Sequence, residues 1–177
     1  MKKQFPNTRA LATAAIAGAV YAVLTIALAP ISYGAIQLRV SEALCILPFF
    51  IPGTAWGLFV GCILANLITG NIFDIVFGSL ATLGAALLTA RLGQKGATRR
   101  NRLLACLMPV VFNAVIVGLV ITAAYEGQNP LRHFGVFLTN AAWVGLGEAV
   151  VLYAIGYPLM RYLPSLKGFR EYAEKCR

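Results

Sequence analysis

Apolar residues gather in six stretches, about 8–29, 38–51, 54–69, 72–91, 103–124 and 135–162, separated by short polar, glycine- or proline-bearing breaks. Several approach the ~20 residues that a helix needs to cross a bilayer. Pro52-Gly53 and Gly70-Asn71 mark tight turns, which connects the second, third and fourth stretches closely. Residues 30–37 and 125–133 form longer loops. The second and third stretches are short for crossing, so they are expected to tilt or to stop short of one interface. The pattern predicts an all-α membrane protein with six transmembrane helices, forming one integral domain over residues 1–177. No internal repeat is evident, which weighs against an inverted-repeat carrier.

Composition supports the membrane reading. The 177 residues are 59% hydrophobic and 12% charged, against about 25% charged in soluble domains, and the mean hydropathy is +0.77. The net charge of +9 is not spread as a nucleic-acid footprint would be. Thirteen of the 15 cations fall in three blocks. Lys2, Lys3 and Arg9 precede the first stretch; Arg91, Lys95, Arg99, Arg100 and Arg102 cluster in the connection after the fourth; Arg161, Lys167, Arg170, Lys175 and Arg177 end the chain. Such blocks mark cytoplasmic segments, so both termini and the 91–102 connection are expected inside. Ala27-Leu28-Ala29 has the form of a signal-peptidase site. The preceding run exceeds the usual 7–15-residue signal core, however, and Pro30 follows directly, so the first helix is expected to be retained. Cys45, Cys62, Cys106 and Cys176 show no metal-ligand spacing and His133 stands alone, so neither a metal site nor a disulfide framework is predicted. The first three cysteines are expected to pack as small hydrophobes.

Four ionisable residues interrupt the apolar stretches: Arg39, Glu42, Asp74 and Glu148. A charge at the centre of a bilayer helix costs about 2.5–3.5 kcal/mol on insertion scales, so these groups should face one another, a polar cavity or a ligand. The six-helix topology places Arg39, Glu42, Asn66, Asp74 and Asn140 near the outer ends of their helices. Asn113 and Glu148 fall nearer the middle, Glu148 about 20 Å along its helix. The shared depth describes a cup opening outward. Plainer readings stand beside each member. Arg39 and Glu42 are i, i+3 neighbours and can neutralise each other; Asp74 can answer the positive end of its helix. The three asparagines can be interhelical glue, and Trp143 can pack or stack on a flat ring. Three acids and one arginine give the cup a charge of −2 if all are ionised, which favours a cation or a donor-rich ligand such as a guanine-like ring bearing an amine. Small residues recur every fourth position at Ala10, Ala14, Gly18 and Ala22, and again at Gly53, Gly57, Gly61 and Ala65. The second stripe is expected to pack within the chain; the first can do so or can meet a partner. No GxxxxGK[ST] phosphate loop is present, so the chain carries no ATPase of its own, and no nucleophile–base pair suggests an enzyme.

QLRVSEAL (37–44), GLFVGCILANL (57–67), FDIVFGSLATLGAALLT (73–89), NAVIVGL (113–119) and VGLGEAVVLYAIGYPL (144–159) together resemble the QueT family. These are substrate-binding S components of energy-coupling factor transporters for queuosine precursors. The resemblance implies a multi-pass protein of the bacterial cell membrane, without a cofactor. It would capture a 7-deazaguanine such as 7-aminomethyl-7-deazaguanine. A transmembrane coupling subunit and two cytosolic ATPases would drive its release inside. It also implies that Gln37, Arg39, Glu42, Asp74, Asn113 and Glu148 line the pocket, that residues 30–37 lid it, and that Ala10, Ala14 and Gly18 meet the coupling subunit. With Asn66, Asn140 and Trp143 from the depth reading, these residues form the candidate site. The alternative is an autonomous proton-coupled carrier with Glu148 or Asp74 as its proton site.

Overall fold

A computed structural model describes residues 8–33 and 37–176; Lys2, Lys3, the central part of the predicted lid (34–36) and Arg177 lie outside them. Helix α1 spans Thr8–Ala27, and Pro30 opens a helical turn at Ala29–Ser32. A 3₁₀ helix follows at Val40–Phe49. Helix α2 runs through Thr54–Thr69, closed by Gly70 with φ of 65°, a left-handed turn open to glycine. Helix α3 covers Asp74–Gln94, α4 Arg99–Tyr125 and α5 Phe134–Ser165. The Thr98 hydroxyl caps α4 by accepting from the Asn101 N–H at 3.1 Å. A terminal amphipathic helix, α6, occupies Lys167–Cys176.

Four helices, not six, are long and apolar enough to cross a membrane: α1, α3, α4 and α5. The expectation of six transmembrane helices is therefore corrected. The Val40–Phe49 helix, ten residues long, reaches only about 20 Å at the 3₁₀ rise of ~2.0 Å per residue. Helix α2 reaches about 24 Å at ~1.5 Å per residue. Both fall short of a hydrocarbon core ~30 Å thick. Apolar composition misled because the 3₁₀ helix is apolar for another reason: it is the centre of the bundle. It packs against α1, α2, α3, α4 and α5, and Ser41, Glu42, Ala43, Cys45, Ile46, Pro48 and Phe49 are all buried.

Successive helices alternate in direction and leave two unlike ends. At one end Ile46, Phe49, Phe50 and Ile51 pack with Leu152 and Met160, sealed by Ala173 and Cys176 of α6. The Phe169 ring meets Phe50 edge-on at 5.4 Å, and the Tyr172 and Thr13 hydroxyls share a hydrogen bond of 2.8 Å. The basic 91–102 connection joins α3 to α4 at this end. The other end holds the predicted polar residues. Between them Tyr21, Cys45, Leu58, Cys62 and Ala65 form a second core. Helices α1 and α2 cross with their small-residue stripes face to face. A Cβ added at Gly57 would run into the Ala14 carbonyl, and one at Gly61 into that of Gly18. Only glycine permits this approach. Outward-facing Ile16, Val23, Val60, Leu64, Val115, Leu146 and Val150 are exposed, the surface that a multi-pass protein presents to lipid.

Candidate substrate cavity

A cavity of about 590 Å³ opens at the end away from the basic connection, within the 300–1,000 Å³ range typical of small-molecule sites. Its wall is built from the loop after α1 (Tyr33, Gln37), the end of α2 (Ile68, Thr69) and the start of α3 (Asp74). The end of α4 (Ile121, Tyr125, with Glu126 beyond it) and α5 (Asn140, Trp143) complete it. Both α3 and α4 are locally widened to π-turns here, at Asp74–Gly78 and Ile121–Tyr125, a distortion often found at functional sites.

Of the nine residues predicted to bind substrate, Gln37, Asp74, Asn140 and Trp143 reach this wall. Arg39 sits directly behind it. Only 2% exposed, its guanidinium lies 5.2 Å from the Tyr33 ring centroid and 4.0 Å from Asp74 Oδ1, and its Nε donates to the Ser32 carbonyl at 3.5 Å. The predicted Arg39–Glu42 neutralisation is replaced by this Arg39–Asp74 pair, because Glu42 lies one 3₁₀ turn deeper among other donors. Tyr33 is anchored through its hydroxyl, which donates to the Ala65 carbonyl at 2.7 Å; burial pushes its phenol up to about 12, so it stays a donor at neutral pH.

Glu42, Asn66, Asn113 and Glu148 do not line the cavity; they are buried behind it. Glu42 accepts from the Tyr21 hydroxyl at 2.5 Å, the Cys45 thiol at 2.9 Å and the Thr82 hydroxyl at 3.4 Å. Asn66 donates to the Asp74 carbonyl at 3.1 Å, tying α2 to α3. Glu148 accepts from Asn113 at 2.9 Å, tying α5 to α4, and stands within electrostatic reach of Glu42 and Arg39. Among the described residues Arg39 Nη2, Asn66 Oδ1, Asn113 Oδ1 and Glu148 Oε2 are buried without a hydrogen-bond partner. Each such atom costs about 1–3 kcal/mol, so their concentration in one region marks polarity maintained against stability. Cys45 and Cys62 also do more than fill space: both are free, buried and hydrogen-bonded into the Glu42–Tyr21 network.

Tyr33 falls within the expected lid, whereas Glu126, Tyr125 and Thr69 on the wall, and Thr122, which accepts from Asn140 at 3.1 Å, were not among the expected site residues. Tyr125 and Glu126 lie just past the expected end of the fifth segment, in the 125–133 loop, though they share the cavity wall with Asn140.

The small-residue stripe on α1 has two neighbours. Ala14 and Gly18 pack on α2, while Ala10 lies over Gly53. Beside this crossing runs an apolar groove of about 370 Å³, floored by Ala14, Gly18, Gly57 and Gly61 and walled by Leu11, Trp56, Val60 and Leu64.

The model of the QueT transporter family matches residues 11–165. The chain belongs to the QueT family. The queuosine precursor transporter QueT of Lactococcus lactis subsp. cremoris (strain MG1363) is 39% identical over 85 residues, covering 47% of this chain and 49% of that protein. The chain thus aligns with about half the length of the curated relative it matches. No solved structure matches it. The family match, with four apolar helices long enough to span, fits this QueT-family chain to a multi-pass membrane protein. Helix α6 lies beyond the matched region.

Proposed function

We propose that this chain is the substrate-capturing subunit of an energy-coupling factor importer for a queuosine precursor, a 7-deazaguanine such as 7-aminomethyl-7-deazaguanine. The observation that carries the reading is the cavity itself. Three aromatic rings, Tyr33, Tyr125 and Trp143, share its wall with Gln37, Asp74, Glu126 and Asn140. Aromatic faces suit a flat heterocycle; carboxylate and amide groups suit the N1–H and 2-amino edge of a guanine-like ring. The basic clusters gather at the opposite end, which supports an extracytoplasmic position for the cavity. Glu148 and Asn113 would serve as the inner floor, reached by the ligand or its hydration.

Family membership supports dependence on partners, as does the lack of a phosphate-binding loop. A transmembrane coupling subunit would seat on the apolar groove between α1 and α2, over Ala10, Ala14 and Gly18, and two cytosolic ATPases would supply the energy. Two measurements test this. Isothermal titration of the detergent-purified chain against a panel of 7-deazaguanines should show saturable binding, and absence of binding across the panel refutes the substrate. Liposomes bearing the chain alone should show no uptake under a proton gradient. Uptake by the chain alone would instead make it an autonomous carrier.

A further inference from the structure

We propose that Glu126 selects the ligand's cationic amine, so that the cavity discriminates by charge at its rim and by ring shape at its wall. The inference rests on the queuosine-precursor reading and deepens it by naming the group that reads the substituent on the ring.

Two carboxylates reach the cavity wall, Asp74 and Glu126, and their surroundings differ. Asp74 faces the buried Arg39 guanidinium at 4.0 Å, so its charge already has a counter-charge within the protein. Glu126 has none among the described residues: besides its backbone N–H, which donates to the Ile121 carbonyl at 3.0 Å, the one hydrogen bond of its side chain there is accepted by Oε1 from Asn140 Nδ2 at 3.1 Å. That same Asn140 nitrogen also donates to Thr122 at 3.1 Å, one helical turn earlier, which fixes the amide between the two acceptors. Glu126 is thus held in place by a neutral donor, with Oε2 and the net negative charge available to the cavity. Among the described residues, no lysine, arginine or histidine lines the wall.

A carboxylate held by a neutral amide at the mouth of a cavity attracts a cation more than a neutral dipole. A charge-assisted N⁺–H···O⁻ bond is about twice as strong as a neutral one. A primary ammonium on the heterocycle satisfies Glu126; a nitrile at the same position offers only an acceptor to an acceptor. Glu126 sits at the exposed end of α4, where a substituent projecting from a ring stacked against Trp143 or Tyr125 would emerge.

The test compares 7-aminomethyl-7-deazaguanine with 7-cyano-7-deazaguanine, the same ring without the ammonium, by titration into the purified full chain. Wild-type protein should bind the amine at least tenfold more tightly. E126Q should weaken the amine tenfold or more while leaving the nitrile within twofold. If E126Q changes neither affinity, or weakens both alike, the Glu126 assignment is overturned while the family substrate stands. If the wild type binds neither compound, the substrate reading itself fails and this one falls with it. Because Glu126 is exposed, E126Q should unfold at the wild-type temperature; a shared loss of stability and of both affinities counts against selection.

Discussion

Glu42 and Glu148 form a matched pair for one substitution, since both are carboxylates with 0% and 1% exposure. Their partners differ. Glu42 accepts from three donors, Tyr21, Cys45 and Thr82; Glu148 accepts from Asn113 alone, and its Oε2 meets no donor among the described residues. Hydrogen bonds between membrane helices contribute about 0.6 kcal/mol each, so about 2 kcal/mol is at stake around Glu42. A glutamine there turns one oxygen into a donor facing a hydroxyl or thiol donor. E42Q should therefore lose about 1–2 kcal/mol, a fall in Tm of roughly 2–8 °C for a chain of this size. At Glu148 the balance reverses. A buried carboxylate carries a desolvation penalty of several kcal/mol, and one hydrogen bond offsets only part of it. E148Q should leave ligand-free stability unchanged or raise it by about 1 kcal/mol. It should weaken ligand binding more than tenfold, about 1.4 kcal/mol. Thermal unfolding without ligand and calorimetric titration with it, both in detergent, read the two effects separately. An E148Q protein that unfolds early and binds normally would show that Glu148 serves the fold and would remove it from the site.

Three further outcomes follow from the packing. Gly57→Val drives a side chain into the Ala14 carbonyl and must push α1 from α2, with a loss of about 1–3 kcal/mol; an unchanged Tm would refute the close crossing. Ala14→Leu, aimed at the groove, should abolish partner-driven uptake while ligand affinity stays within twofold, and loss of ligand binding would instead make Ala14 a packing residue only. Arg39→Lys keeps the charge but gives up the planar contact with Tyr33, worth about 0.5–2 kcal/mol; affinity should drop about two- to thirtyfold by titration, and no drop would free the Tyr33 loop from any role in the cavity.

The membrane class, the gathering of polar residues at one end and the family were legible because they rest on composition, depth and motif, which are carried by the chain itself. Asp74 and Asn140 entered the candidate site because a polar group in an apolar stretch needs a reason to be there, and with Gln37 and Trp143 they reach the cavity wall, while Arg39 sits behind it. What was not legible is lateral: which neighbour each side chain meets. Spacing of three residues suggested that Arg39 pairs with Glu42, but local spacing says nothing about Asp74 arriving from another helix. Glu126 was missed for the opposite reason. It lies in a polar stretch where an acid needs no explanation, and only the turn of α4 reveals that it overlooks the cavity. The six-helix expectation failed because hydrophobicity reports burial and not what does the burying. Helices α1 and α5 keep exposed apolar faces, while most of Val40–Phe49 is buried by protein.

The winding of that central helix explains how one short segment serves both the cavity and the core. In a 3₁₀ helix residues three apart eclipse one another, so Glu42, Cys45 and Pro48 stand in one file beneath the capping residue Arg39. An α-helix would turn each successive member by about 60° and spread them over separate neighbours. Stacking instead lets Arg39 answer Asp74 at the cavity wall, while Glu42 takes the Tyr21 and Thr82 hydroxyls and the Cys45 thiol just below it. Ten residues of 3₁₀ helix exceed the three or four that usually persist, and intrinsic preference does not hold them. Close packing against α1, α2, α3, α4 and α5 does. The charged wall of the cavity is therefore a consequence of tertiary packing, set by the same α1–α2 crossing that brings Tyr21 and Cys62 against the centre.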